Sequence, residues 1–275
     1  MAHIIGGFCA SHAPGQVARK DAAGEDGKDF LNALNRAAAE LRSLQPDVLV
    51  VCSADHFTNF TPNVYPQLTI GVGGMHIGPS EPWMGQAAHE IPGQPDFANL
   101  LTSGLMHQGF DPTTAGALTL DHGVMTVYSS VAPGADIPLV PFLQNTLVSP
   151  MSSLTRCYQM GQALRKVTEA IPADLRVGII GAGGLSHWIG TSRDGDIDED
   201  FDHWILERLS KGQVGEILDL TDEEIDHAGT GAHEIRSWLF AAGALSGFPA
   251  ETSFYAPIPA WITGMAVQTY GNASP

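Results

Sequence analysis

Basic residues are scarce in this chain of 275 residues: 13 Lys and Arg stand against 30 Asp and Glu, a net charge of −17. Between Arg42 and Arg156 there is no Lys or Arg at all. A protein that grips a phosphate backbone needs the opposite balance, so nucleic acid is excluded as a partner and the acidity serves solubility. Cysteine is scarce too. Cys9, Cys52 and Cys157 are odd in number and form no CxxC, which argues against a disulfide framework and for reduced, buried thiols in a cytoplasmic compartment. There the sequons Asn59-Phe-Thr and Asn272-Ala-Ser are chance matches. Long apolar runs are missing. Val48–Val51, Val177–Ile180 and Trp238–Leu245 fall short of the roughly 20 residues that cross a bilayer. No basic segment precedes an apolar one near Met1, so no secretory signal is expected. Hydrophobic residues make up 44% and charged residues 16%, a composition that buries a full core and excludes a disordered chain.

Strand and helix patterns alternate along the chain. Strands are expected at His3–Phe8, Asp47–Ser53, Gln67–Gly73, Pro138–Leu143 and Arg176–Ile180, with late returns at Thr252–Tyr255 and Gly264–Thr269. The run Asp-Val-Leu-Val-Val-Cys-Ser has the near-continuous apolar pattern of a strand covered on both faces. Helices are expected at Phe30–Leu44, Phe97–His107 and Ser152–Ala170. Further helices fall near Asp198–Leu209, Val214–Leu218, Asp222–His227 and Ala232–Ala244. Gly74–Gln94, rich in Gly, Pro and polar residues, reads as a surface excursion. The pattern predicts one catalytic domain over residues 1–275. Its fold class is α/β, a three-layer α/β/α sandwich around a largely parallel or mixed sheet.

Eleven histidines carry the functional argument. His3, His76, His89, His107, His203 and His227 read as ordinary surface or core residues. His12, His56, His122 and His187 share a position, each just beyond the end of an expected strand, which for His122 is the short segment Ala115–Leu120. In open α/β sheets the ligand crevice lies outside the carboxyl ends of the strands, so these four point to a shared site. A further segment, Gly229-Thr-Gly-Ala-His-Glu-Ile-Arg-Ser-Trp, opens a late helix. A zincin helix would need a second His four residues after His233, and Ser237 stands there. Glu234 is then either a first-turn acid favoured by the helix dipole or a lone carboxylate ligand. Two imidazoles and a carboxylate on one face of a metal suit non-heme Fe(II) oxygenases. The same donors suit a zinc hydrolase or a metal-binding module without activity. The Gly-rich run after Arg176 resembles a dinucleotide fingerprint, but Ser186 occupies its third Gly position and His187-Trp188 follow.

Together and in order, Ser11-His12, Asp55-His56, Asp121-His122-Gly123, Gly183-Gly184-Leu185-Ser186-His187 and His233-Glu234 resemble the class III extradiol ring-cleaving dioxygenases. That superfamily includes protocatechuate 4,5-dioxygenase, gallate dioxygenase and 2,3-dihydroxyphenylpropionate 1,2-dioxygenase. The resemblance implies Fe(II) held by His12, His56 and Glu234, His187 as acid/base, and His122 as a second active-site histidine near substrate and dioxygen. It implies a small aromatic diol and O2 as substrates, and a homo-oligomer, with or without a small second subunit. Asp55 and Asp121 are expected to orient imidazoles or cap loops. Ser11 and Ser186 are loop polar residues beside the site, and Gly183 and Gly184 let the backbone approach it. Trp188, Phe57 and Tyr255 either line an aromatic pocket or pack. Arg236 is expected on a helix surface.

Overall fold

The computed structural model describes residues 1–271, so the Asn272 sequon lies outside the described residues. Ten strands form: β1 His3–Ala10, β2 Val48–Ser53, β3 Leu68–Gly71, β4 Met75–Gly78, β5 His89–Pro92, β6 Thr113–Ala115, β7 Leu139–Gln144, β8 Arg176–Ala182, β9 Ala250–Ile258 and β10 Thr263–Tyr270. The helices are α1 Gly15–Ala18, α2 Gly24–Ser43, α3 Pro95–His107, α4 His122–Val131, α5 Leu154–Ala170, α6 Glu199–Ser210, α7 Val214–Leu218, α8 Asp222–Asp226 and α9 Ile235–Ala244.

Eight strands make one mixed sheet in the order β6-β3-β7-β2-β8-β1-β10-β9. Its centre, β7-β2-β8-β1, is parallel throughout, while β10 and β9 add antiparallel strands beyond β1. All six residues of β2 are buried, as its continuous apolar run requires of a strand covered on both faces. Side chains alternate between two cores. On β1, Cys9 enters the core beneath α5 and α9, whereas Phe8 and Ala10 enter the core beneath α2 and α4. The result is the expected three-layer α/β/α sandwich. Among the described residues, no helix is long and apolar enough to cross a membrane.

Two departures from expectation have physical causes. Helix α4 is not among the expected helices: it is ten residues long and rich in β-branched Val and Thr, which read weakly as helix, and eight of its residues are buried. It starts on Asp121, whose side chain accepts from the Gly123 amide as an N-cap. The expected surface excursion Gly74–Gln94 folds β4 and β5 into a separate antiparallel pair and carries Glu81 inward to His122.

Candidate active site

The three adjacent parallel strands β2, β8 and β1 end on one side of the sheet, and their trailing loops supply His56, His187 and His12. His122 reaches the same place by another route. It is the first residue of α4, not the tail of a strand, and its position depends on the Asp121 cap. Glu234 ends a short 3-10 turn, Ala232–Glu234, that leads into α9. The 183–187 loop runs on from β8 into irregular chain, and the next helix begins only at Glu199. The dinucleotide reading of that loop therefore fails.

The side chains converge closely. Glu234 Oε1 lies 3.2 Å from His12 Nε2 and 3.1 Å from His56 Nε2. The backbone amide of Gly184 donates to the other oxygen, Oε2, fixing the carboxylate in place. One ring nitrogen from each of His12, His56 and His122 falls within 4.8 Å of the others, a candidate metal site. The His56 and His122 ring centroids are 4.2 Å apart, and His12 stands edge-on to both.

Three of the four histidines have an anchor at Nδ1, whereas the buried Nδ1 of His12 has no partner among the described residues. Asp121 Oδ2 accepts from the His56 amide at 2.7 Å and faces His56 Nδ1 at 3.2 Å, while Oδ1 caps α4. Glu81 Oε1 sits 2.6 Å from His122 Nδ1 and accepts the His122 amide at 3.1 Å. His187 Nδ1 lies 2.9 Å from the Leu185 carbonyl, an acceptor, so Nδ1 carries the proton and Nε2 is the bare nitrogen. Its ring is packed where Gly184 and Gly231 leave no room for a side chain; a Cβ at either position would overlap it.

Electrostatics follow from burial and these partners. Burial alone would lower His56, but the Asp121 and Glu234 carboxylates outweigh it and hold His56 well above the ordinary histidine value. Burial would raise Glu234, yet His12, His56 and His187 hold it well below the carboxylate range. Asp121 is held down at about 2 by His56 against its own burial. Burial lowers both His122 and His187, so each is a neutral imidazole at neutral pH. His56 thus turns both ring nitrogens toward carboxylates, an arrangement that asks for positive charge.

The remaining expected residues take separate places. Asp55 caps its own loop, accepting from the amides of Asn59 and Phe60 and from the Asn59 side chain. Ser11 ties β1 to β10 through Gly264 O and the Ala266 amide. Ser186 bonds Asp202, and Tyr255 bonds the same carboxylate. Trp188 is buried beneath the Arg193 guanidinium, 3.8 Å from its ring centre. Phe57 is half exposed against Tyr65. Arg236 corrects an expectation. It is fully buried, not on a helix surface, and bonds the Ser152 carbonyl, His233 and Asp222. That leaves no free donor face for a substrate. His233 points with it, toward Asp226 rather than the cluster. Of the ordinary histidines, His76 is buried and accepts the Leu118 amide. Sequence reasoning missed Glu81 and Asp202, since only the fold brings such distant residues onto a histidine or its loop, and it missed Asn59, which bonds Asp55 within the loop that carries His56.

A family model described as the catalytic LigB subunit of aromatic ring-opening dioxygenase matches residues 6–266. The chain belongs to this family. Among curated relatives of this LigB-family chain is 2,3-dihydroxyphenylpropionate/2,3-dihydroxicinnamic acid 1,2-dioxygenase from Escherichia coli O81 (strain ED1a). It is 26% identical over 305 aligned positions, covering 93% of this chain and 95% of the relative. The protein of the same description from Escherichia coli K12 matches to the same extent. The crystal structure of uncharacterized protein JW3007 from Escherichia coli K12 shares the fold. Its TM-score is 0.64 at 17% identity, over 97% of this chain and all of that one. Membership of the LigB family makes this a chain of the class III extradiol dioxygenase type, with its histidine cluster in place.

Proposed function

We propose that this chain is a non-heme Fe(II)-dependent extradiol dioxygenase that opens the ring of a catechol with O2, phenolic acids being the favoured substrate class. The observation that carries the reading is one carboxylate oxygen, Glu234 Oε1, set 3.1–3.2 Å from a ring nitrogen of each of two histidines. Two donors about 2.1 Å from one ion and at right angles lie about 3.0 Å apart, so Glu234 Oε1 is spaced to share a cation with His12 Nε2 and with His56 Nε2. The donor chemistry fits as well. A cation on His56 Nε2 leaves Nδ1–H for Asp121, the carboxylate–histidine–metal pattern. We assign His12, His56 and Glu234 as the ligands, because Glu234 Oε1 faces the Nε2 of those two histidines, and take His122 as the group on the substrate side. Fe(II), when bound, would supply Lewis acidity toward both catechol oxygens and the electrons that activate O2.

The chain supplies the rest. His187, neutral and buried with Nε2 bare, takes a hydroxyl proton from the substrate and returns it as the ring opens. His122, its Nδ1–H committed to Glu81, presents Nε2 as an acceptor for the hydroxyl that the substrate keeps. No Lys or Arg lies between Arg42 and Arg156, and Arg236 is fully buried on Ser152, His233 and Asp222, so we take a substrate carboxylate to be held by hydroxyls, backbone amides or a partner chain.

The test is oxygen uptake after anaerobic Fe(II) loading. The panel holds protocatechuate, gallate, 3-O-methylgallate and 2,3-dihydroxyphenylpropionate. Uptake with a new yellow ring-fission product supports the reading, and turnover by this chain alone shows that no second subunit is needed. Zinc-dependent hydrolysis with no oxygen consumed would overturn it.

A further inference from the structure

Asp202 is fully buried on the inner face of α6, with no contact to the candidate metal site. Its carboxylate accepts three hydrogen bonds: Oδ1 from the Ser186 amide at 2.7 Å, and Oδ2 from Ser186 Oγ at 2.8 Å and Tyr255 OH at 2.9 Å. Ser186 is the residue before His187. Its carbonyl accepts the Gly264 amide at 3.0 Å, and its Oγ accepts the Asp198 amide at 2.8 Å. Every polar group of Ser186 is therefore fixed, and Asp202 supplies two of the anchors. The backbone that carries His187 cannot rotate without breaking them.

We propose that Asp202 is a positioning residue for the acid/base step: its carboxylate clamps Ser186 and so sets where His187 Nε2 stands. This rests on the role assigned to His187 above. A purely structural function is a poor account of Asp202, because a buried carboxylate is costly and a neutral amide such as Asn could accept from these donors without burying a charge. Burial, reinforced by Asp198, pushes Asp202 up to about 7 despite the three donors. Glu199 adds negative charge near Tyr255, and the His203 ring packs on Tyr255 at 4.5 Å. The clamp is thus tightest when the carboxylate is ionised, above neutrality. The sign for stability is the reverse. An acid whose folded value lies above its unfolded value near 3.9 makes the fold less stable as pH rises from about 4 to about 7.

The experiment compares D202N, D202A and Y255F with the parent protein, all loaded with Fe(II). For D202N the expected result is a thermal midpoint equal to or above the parent at pH 7.5, with the gain shrinking toward pH 4.5. Iron content and KM stay near parental values while kcat falls about tenfold or more. The ionisation near pH 7 disappears from the kcat profile in D202N. In Y255F it moves to higher pH, because a donor to the ionised form is gone. In D202A, hydrogen exchange of the segment 183–190 rises. Unchanged kcat and pH profile in D202N overturn the proposal, as does a fall in kcat that only tracks a lower thermal midpoint. The exchange measurement needs no substrate. If no catechol is turned over, the dioxygenase reading fails by itself, and unchanged exchange in D202A overturns the clamp independently.

Discussion

Four side chains divide the chemistry by what their second atom touches. His12 and His56 turn Nε2 to a shared carboxylate oxygen, whereas His187 and His122 have Nδ1 occupied and Nε2 free. That difference predicts two classes of variant. H12A and E234A should lose iron, read by metal content after desalting. H187A should keep iron and lose most turnover; loss of iron in H187A would show the ligand and base assignments to be wrong. Glu81 belongs to the second class. E81Q puts an amide against His122 Nδ1, and kcat should fall about ten- to a hundredfold, with iron retained. A parental kcat in E81Q would show that His122 needs no partner.

At the scale of elements, α4 and the 183–187 loop are fixed by the groups that build the site. Asp121 is both the N-cap of α4 and the partner of His56. D121A should cost about 1 kcal/mol through the lost cap, seen in chemical denaturation. It should also weaken metal affinity about ten- to a hundredfold. D121N keeps an oxygen for the Gly123 amide, so it should recover most of the stability but not the metal affinity. Equal metal affinity in D121N and the parent would mean that Asp121 serves the helix alone. In the loop, G184A should displace His187, because the new Cβ overlaps its ring. Turnover should fall while the sheet, and hence the circular dichroism spectrum, stays as it was.

Across the whole molecule, charge links metal, pH and folding. Glu234 and Asp121 are held below their unfolded values, so what they contribute to stability is present above about pH 4 and lost as pH falls through their folded values, about 2 for Asp121. His56 is held above its unfolded value near 6.5, so its contribution is complete below that pH and drains away as pH rises. The metal-free protein should therefore lose thermal stability from about pH 6.5 upward. Fe(II) needs neutral imidazoles, so stabilisation by the metal should grow over the same interval. Thermal midpoints of both forms from pH 6 to 8.5 test this; a stabilisation by iron that shrinks with pH would contradict the ligand set. Much of this was legible in sequence because it depends on local pattern. A short β-branched run such as Val48–Val51 reads as a strand covered on both faces, and strands of that kind place their following residues at one crevice. That was enough to gather His12, His56 and His187. The tertiary structure decided what local pattern cannot hold. Helix α4, short and rich in β-branched residues, is held as a helix by burial, and Arg236 is buried because Asp222, His233 and Ser152 O meet it there. Glu81 and Asp202 matter only because distant segments fold onto His122 and Ser186: a hydrogen bond depends on distance in space, and sequence separation carries no record of it.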